Sequence, residues 1–350
     1  MPVVGMVFEK KEGTSLVRIL STITSFICLA FAGTGFAADQ HVILTGSGGE
    51  LEFSLKFFEW GERLEKIVSQ SSKSDQTNVH WLREKIELDG ENEIINAINA
   101  ESIEETIKDA IGALEESDSL FVYLIGHGSY FKSIPKFHIP GPDITAEQML
   151  EWFEPVEDNR IIIVNTTSSS APFINTLSGK NRMVCTATKS ASEFNAPEFT
   201  EYFLVAMEDG SADLNRDDRI SFLEACQQAA ELTKTWYENA GTISTEHSLI
   251  DDNGDGQGTR LERSMDITGD FDGLLASNCF IKSYQFPDEA PQDLIDEYIE
   301  TLEKVKELKT QKSSLVEIEY YEQLEKLLIH AAGVNREIQS FAVPVENGNT

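Results

Sequence analysis

Two short runs, Leu120-Phe121-Val122-Tyr123-Leu124-Ile125 and Ile161-Ile162-Ile163-Val164, limit most sharply what this chain can fold into. Neither alternates apolar with polar residues, so both faces of each must be buried. Runs this short, apolar throughout and rich in β-branched residues, predict interior strands of a parallel sheet covered by helices on both faces. Each stops at small and polar residues: Gly126-His127-Gly128-Ser129 after the first, Asn165-Thr166-Thr167-Ser168-Ser169-Ser170 after the second. Ligands and reacting groups in open α/β sheets collect beyond the carboxyl ends of such strands. One histidine and a row of hydroxyls therefore stand where chemistry is expected.

The neighbouring sequence extends the pattern. His41 to Gly46, Asn78 to Arg83 and Arg182 to Thr188 predict further strands. Between them, Leu51, Leu55, Phe58, Leu64 and Ile67 fall near helical spacing. Ser102-Ile103-Glu104-Glu105 reads as a capping box opening a helix whose face carries Ile103, Ile107, Ile111 and Leu114. Strand and helix in alternation require crossover units and hence a mostly parallel α/β sheet. Further helices are expected from Ile144 to Phe153, Glu198 to Met207 and Ser221 to about Trp236, and the segment with Pro135, Pro140, Gly141 and Pro142 reads as a loose connection. Gly46-Ser47-Gly48-Gly49 is a tight strand-to-helix turn. A dinucleotide fingerprint fails at Leu51, and no Lys-Ser/Thr pair completes a P-loop.

Sixty acidic against 28 basic residues give a formal charge of −32. That argues against nucleic acid and an anionic membrane surface as partners, since both need clustered Lys and Arg, and it is compatible with divalent cations. Residues 1–38 read as an export signal: Lys10, Lys11 and Arg18 precede an apolar stretch from Ile19 to Ala32, and Gly35-Phe36-Ala37 offers a cleavage site. The apolar stretch is about 14 residues, short of the roughly 20 that span a bilayer. The expectation is an exported protein, periplasmic or extracellular, with no membrane insertion after cleavage. Cys28 lies in that signal; Cys185, Cys226 and Cys279 permit at most one internal bridge, and Cys185 reads as a buried strand residue. Residues 39–286 form the main domain, and Pro287 and Pro291 mark a linker. Residues 287–341 carry two heptad-like helices, one with Ile295, Tyr298, Leu302 and Val305, the other with Tyr320, Leu324, Leu327, Ala331, Val334 and Ile338. They predict a helical hairpin that serves self-association or docking, followed by a disordered tail over 342–350.

An apolar strand ending in Gly-His-Gly, followed some forty residues later by a strand ending in a small-residue turn, resembles the caspase-like cysteine peptidases. Within that group the likeness is to the legumain (asparaginyl endopeptidase) branch and its bacterial secreted relatives. The resemblance implies a caspase-like sheet. It puts His127 in the place of the catalytic histidine and Gly128 in that of the oxyanion-hole donor. The family's acidic-Ala-Cys-x-Ser-Gly turn falls on Asn165 to Ser170, which puts Thr167 where the cysteine belongs and Ser169 and Ser170 on its Ser-Gly. A thiol can be held as thiolate by a nearby histidine, whereas a hydroxyl must lose its proton during attack to a well-oriented base. Three readings follow: a non-catalytic homologue whose strand-end cleft binds a peptide or protein ligand or has become purely structural, a hydrolase using Thr167 or Ser168 with His127, and an unrelated α/β enzyme. A structural alternative makes the domain a partner-binding platform with the heptad hairpin as its docking arm.

The acidic loops carry the second chemical signal. Asp213-Leu214-Asn215-Arg216-Asp217-Asp218-Arg219-Ile220-Ser221-Phe222-Leu223-Glu224 fits the twelve-position calcium loop of EF-hands. Side-chain oxygens fall on Asp213, Asn215, Asp217 and Ser221, the carbonyl of Arg219 takes position 7, and Glu224 closes the loop bidentately. Asp218 replaces the glycine of position 6. In the second loop Asp251, Asn253, Asp255, Gln257 and Glu262 supply the same positions with Gly256 at position 6, but nothing before it reads as an entering helix. Calcium is the expected cofactor, at 213–224 first and at 251–262 second.

Overall fold

The computed structural model describes residues 39–341 apart from 72–77, 86–96, 117, 157, 218, 262–271, 283–285, 288, 311 and 313–314. The export signal and the tail after residue 341 lie outside the described residues. The chain runs β1 (Gln40–Thr45), α1 (Leu51–Ser71), β2 (Val79–Arg83), α2 (Ala100–Gly112), β3 (Ser119–Ile125), β4 (Gly128–Phe131), β5 (Ile134–Phe137) and β6 (Ile144–Thr145). It continues through α3 (Ala146–Phe153), β7 (Arg160–Asn165), α4 (Pro172–Leu177), β8 (Arg182–Thr186), α5 (Phe199–Glu208), β9 (Ile220–Ser221) and α6 (Phe222–Asn239). Then come β10 (Leu249–Asp251), β11 (Thr259–Arg260), a 3-10 turn at Ala276–Asn278, β12 (Phe280–Lys282), α7 (Gln292–Thr310) and α8 (Glu317–Gln339).

The central sheet has seven strands in the order β11-β10-β8-β7-β3-β1-β2. The neighbours β2, β1, β3, β7 and β8 pair in parallel; β10 joins β8 antiparallel, and β11 follows antiparallel. The reason is visible in β3, where successive residues leave for opposite faces. Phe121, Tyr123 and Ile125 enter a core with side chains of α1, α5 and α6, while Leu120, Val122 and Leu124 enter a second core with α2, α3 and α4. Each such side chain contributes roughly 2 kcal/mol on leaving water. The chain is therefore an α/β protein with a mostly parallel sheet flanked by helices. Cys185, Cys226 and Cys279 are buried free thiols in the first of these cores.

Two local expectations are corrected. The box opening α2 begins a turn earlier: the Asn99 side chain accepts from the Ser102 N–H, and the Ser102 hydroxyl accepts from the Asn99 N–H, so Ser102 is the third helical residue and not the cap. The proline-bearing connection is a second sheet, β4-β5-β6, in which Pro135 faces Tyr130 across an antiparallel pair. Antiparallel β10 and β11 also escape a reading of the sequence, because strands of three and two residues carry no period. Beyond the linker, Ile295 and Tyr298 of α7 meet Ala331, Val334 and Ile338 of α8. Outside that contact α8 leaves Ile318, Tyr321, Leu328 and Ile329 exposed. No helix among the described residues is long and apolar enough to cross a membrane.

Candidate functional site

Because the parallel strands start in register, they also end together, and four connections leave the same sheet edge. The first follows β1. Glu84, just past β2, accepts from the Ser47 hydroxyl at 2.8 Å, the Gly48 N–H at 3.0 Å and the Ser54 hydroxyl at 2.9 Å. This carboxylate closes the glycine turn so tightly that a Cβ on Gly48 would lie 2.3 Å from the Ser54 nitrogen. Gly126, with φ +149°, then turns the end of β3 so that His127 faces this turn. The His127 ring meets the rings of Phe53 and Phe57 edge to face, with centroids 4.8 and 5.0 Å away, and bonds the backbone of Gly48. Burial and the neighbouring His138 lower its pKa, so the imidazole is neutral at pH 7.

The turn after β7 lies alongside. Thr167 is fully buried, and its hydroxyl donates to the Asn165 side-chain oxygen at 2.7 Å, which also accepts the Thr167 N–H at 3.1 Å. Ser168 reaches across to Gly128: its Oγ donates to the Gly128 carbonyl at 3.0 Å and accepts the Gly128 N–H at 3.2 Å. Ser169 sits at φ +51°, held by bonds from its N–H to the Glu193 carbonyl and from its hydroxyl to the Ala191 carbonyl. The Ser170 and Thr188 hydroxyls pair at 3.1 Å. The hydroxyl row is thus spent on neighbouring backbone and side-chain groups, as short polar side chains in turns tend to be. Thr167 and Ser168 are brought against Gly128, but no hydrogen bond joins the His127 ring to either hydroxyl among the described residues. His41 is buried and held neutral, its pKa pushed down to about 4 by burial; His138 bonds the Ser129 hydroxyl.

Beyond β8 a cluster assembles that no motif announces. Glu193, mostly buried, contacts the His247 ring Nδ1 at 2.6 Å and accepts the N–H groups of Lys189 and His247. Beside it a cavity of about 270 Å³ is lined by Phe199, Thr233, Lys234, Glu246, His247 and Arg260, among others. Glu246 is 4% exposed, accepts the N–H groups of Glu198 and Phe199 and the Tyr237 hydroxyl, and is pushed up to about 7, chiefly by burial. The bonds of Glu193 to His247 and of Glu246 to Glu198 and Phe199 join residues some fifty positions apart, and no local motif records them.

Both acidic loops are preformed to different degrees. In the first, Glu224 accepts the Asn215 N–H with one oxygen and the Ser221 N–H and hydroxyl with the other, while Asp213 accepts the Asp217 N–H. Ser221 caps α6, and Arg216 makes the sharp turn at φ +59°. The Arg219 guanidinium folds back onto Asp217 at 3.0 Å, an internal counter-charge that the sequence did not announce. Asp218 lies outside the described residues, and α5 ends at Glu208, short of Asp213. In the second loop Asn253 accepts the Asp255 N–H and Asp255 the Gln257 N–H; Glu262 lies outside the described residues. Among the described residues no three His, Cys, Asp or Glu side chains converge as a ready metal cage. Calcium loops draw much of their coordination from amide, hydroxyl and backbone oxygens, which such a cage does not count.

Compared with models of known protein families and with curated proteins, the sequence matches none.

Proposed function

We propose that this chain is an exported, non-catalytic relative of the caspase-like peptidases, of the legumain branch. In this reading it holds a peptide or protein ligand along the carboxyl edge of its sheet and takes up calcium at the 213–224 loop. The strand order supports the caspase-like part: parallel strands extended on one side by an antiparallel one, with His127 and the Thr167 turn on adjacent strand ends. One observation carries the loss of catalysis. The Gly128 N–H that would stabilise an oxyanion is taken by Ser168 Oγ, while the Thr167 proton is committed to Asn165. A hydroxyl nucleophile needs the opposite: a free donor for the oxyanion and a base in reach of its own proton. Ligand binding is supported by large apolar side chains on segments that leave the same edge, with Phe131, Phe194 and Ile243 at 65, 75 and 89% exposure.

The test is chemical. Incubation with a fluorophosphonate and mass mapping should leave Thr167 and Ser168 unmodified, and peptides containing Asn or Asp should bind without being cut. An adduct on either hydroxyl establishes the hydrolase reading instead. For calcium, saturation of the native state at a hundred times Kd adds about 2.7 kcal/mol of stability, so the melting temperature should rise on adding CaCl2. Asp213→Ala should remove the part of that rise due to the first loop.

A further inference from the structure

The second acidic loop and the turn that follows it bury three carboxylates. Asp251, Asp252 and Asp272 are 0, 2 and 1% exposed, and no Lys, Arg or His side chain pairs with any of them among the described residues. Two of the three are satisfied by the fold. Asp252 accepts the N–H groups of Gly273 and Ala276, and Asp272 accepts those of Asp252 and Asn253 and the Thr259 hydroxyl. This reciprocal clasp ties the loop to the turn at 272–276. Asp251 is different. Its Oδ1 takes the Gly254 N–H and the Ser178 hydroxyl, while its Oδ2 is buried with no hydrogen-bond partner. The charges of Asp255 and Asp272 bear on the same carboxylate. A buried carboxylate without a counter-ion is among the most destabilising groups a fold can hold.

We infer that a calcium ion is bound at Asp251 Oδ2, with the side-chain oxygens of Asn253 and Asp255 and the Gln257 carbonyl as further ligands and Asp272 as a positioning residue behind them, and that this ion fixes α4. An all-oxygen donor set is the chemistry of calcium rather than of zinc or copper. Asp272 was not among the residues the loop pattern named; it acts through Asp252, Asn253 and Thr259. The link to α4 is direct. Ser178, which caps α4, donates to Asp251 and accepts the Gly256 N–H, and Asn175 of α4 donates to the Gly256 carbonyl. The other end of α4 is the Ser168–Ala171 turn, so the ion holds that turn from behind. The inference stands whether or not the edge binds a peptide.

The experiment uses the full chain carrying Asp213→Ala, so the first loop does not contribute. Calorimetric titration with CaCl2 should find one site, absent in the Asp213→Ala, Asp251→Asn double variant. Melting should reverse sign with conditions. In EDTA, Asp251→Asn should melt at or above its parent, because an uncompensated charge is gone; in millimolar CaCl2 it should melt below it. A drop of equal size in both buffers means that the carboxylate is merely structural, and overturns the inference. If the double variant does not fold, amide exchange in the Asp213→Ala parent decides: calcium should slow exchange at Ile174 and Ser178, and unchanged rates overturn the proposal.

Discussion

Gly128→Ala is expected to destabilise the fold by about 3 kcal/mol, near the top of the range for overpacking a tight interior site. An added Cβ would lie 2.5 Å from both the Ser168 carbonyl oxygen and Thr167 Oγ1. Neither can retreat cheaply. The carbonyl is backbone, and Thr167 is fixed by two bonds to Asn165 within a buried turn. The same methyl would break the exchange between Gly128 and the Ser168 hydroxyl, leaving a buried N–H unpaired. Gly112→Ala is the control: nothing lies within 4 Å of its Cβ position at the end of α2, and alanine there should be neutral or gain up to about 1 kcal/mol. Urea titration of both variants checks the pair. Equal midpoints would mean that the junction between β3 and the Thr167 turn is looser than its contacts require.

The second large effect concerns pH. Glu246 in the folded chain titrates at about 7, against 4.5 for an exposed glutamate, because burial disfavours its charged form. The native state therefore holds this proton more tightly than the unfolded state does. Its contribution is fully present below pH 4.5 and is lost as pH rises to 7. At about 1.4 kcal/mol per pH unit, the loss comes to about 3 kcal/mol. Glu246→Gln should abolish this portion of the slope. The amide has one acceptor oxygen for N–H groups of both Glu198 and Phe199, so the variant carries a uniform deficit. The decisive quantity is the difference in unfolding free energy between parent and variant, measured from pH 4 to pH 8. It should change by about 3 kcal/mol across the interval, and a constant difference would show that folding leaves the Glu246 pKa unshifted.

What the sequence made legible follows from where burial leaves a mark. Strands β1, β3, β7 and β8 are apolar on both faces because helices cover both, and composition alone reports that. The amphipathic helices announce themselves by spacing. The positions of His127 and Thr167 were legible for the same reason, since each ends a legible strand. Their hydrogen-bond partners were not. Ser168 bonding Gly128 joins residues forty apart, and Glu246 is one of 60 acidic residues with nothing local to set it aside. Asp272 escaped because its part depends on a fold-back of the chain, and periodicity cannot register that. The Ser102 box shows the smaller limit. A serine followed by a glutamate fits the cap pattern, but Asn99 won because its side chain reaches the Ser102 N–H.

On one flank the sheet ends in β11, which is two residues long, and one of the two is Arg260. A foreign chain arriving there finds scarcely any open backbone to zip onto, and a positive charge in its path. The sheet is thereby capped against growth on that flank. Two copies that meet on that flank do so through helices or loops, which makes that contact reversible by substitution of side chains alone.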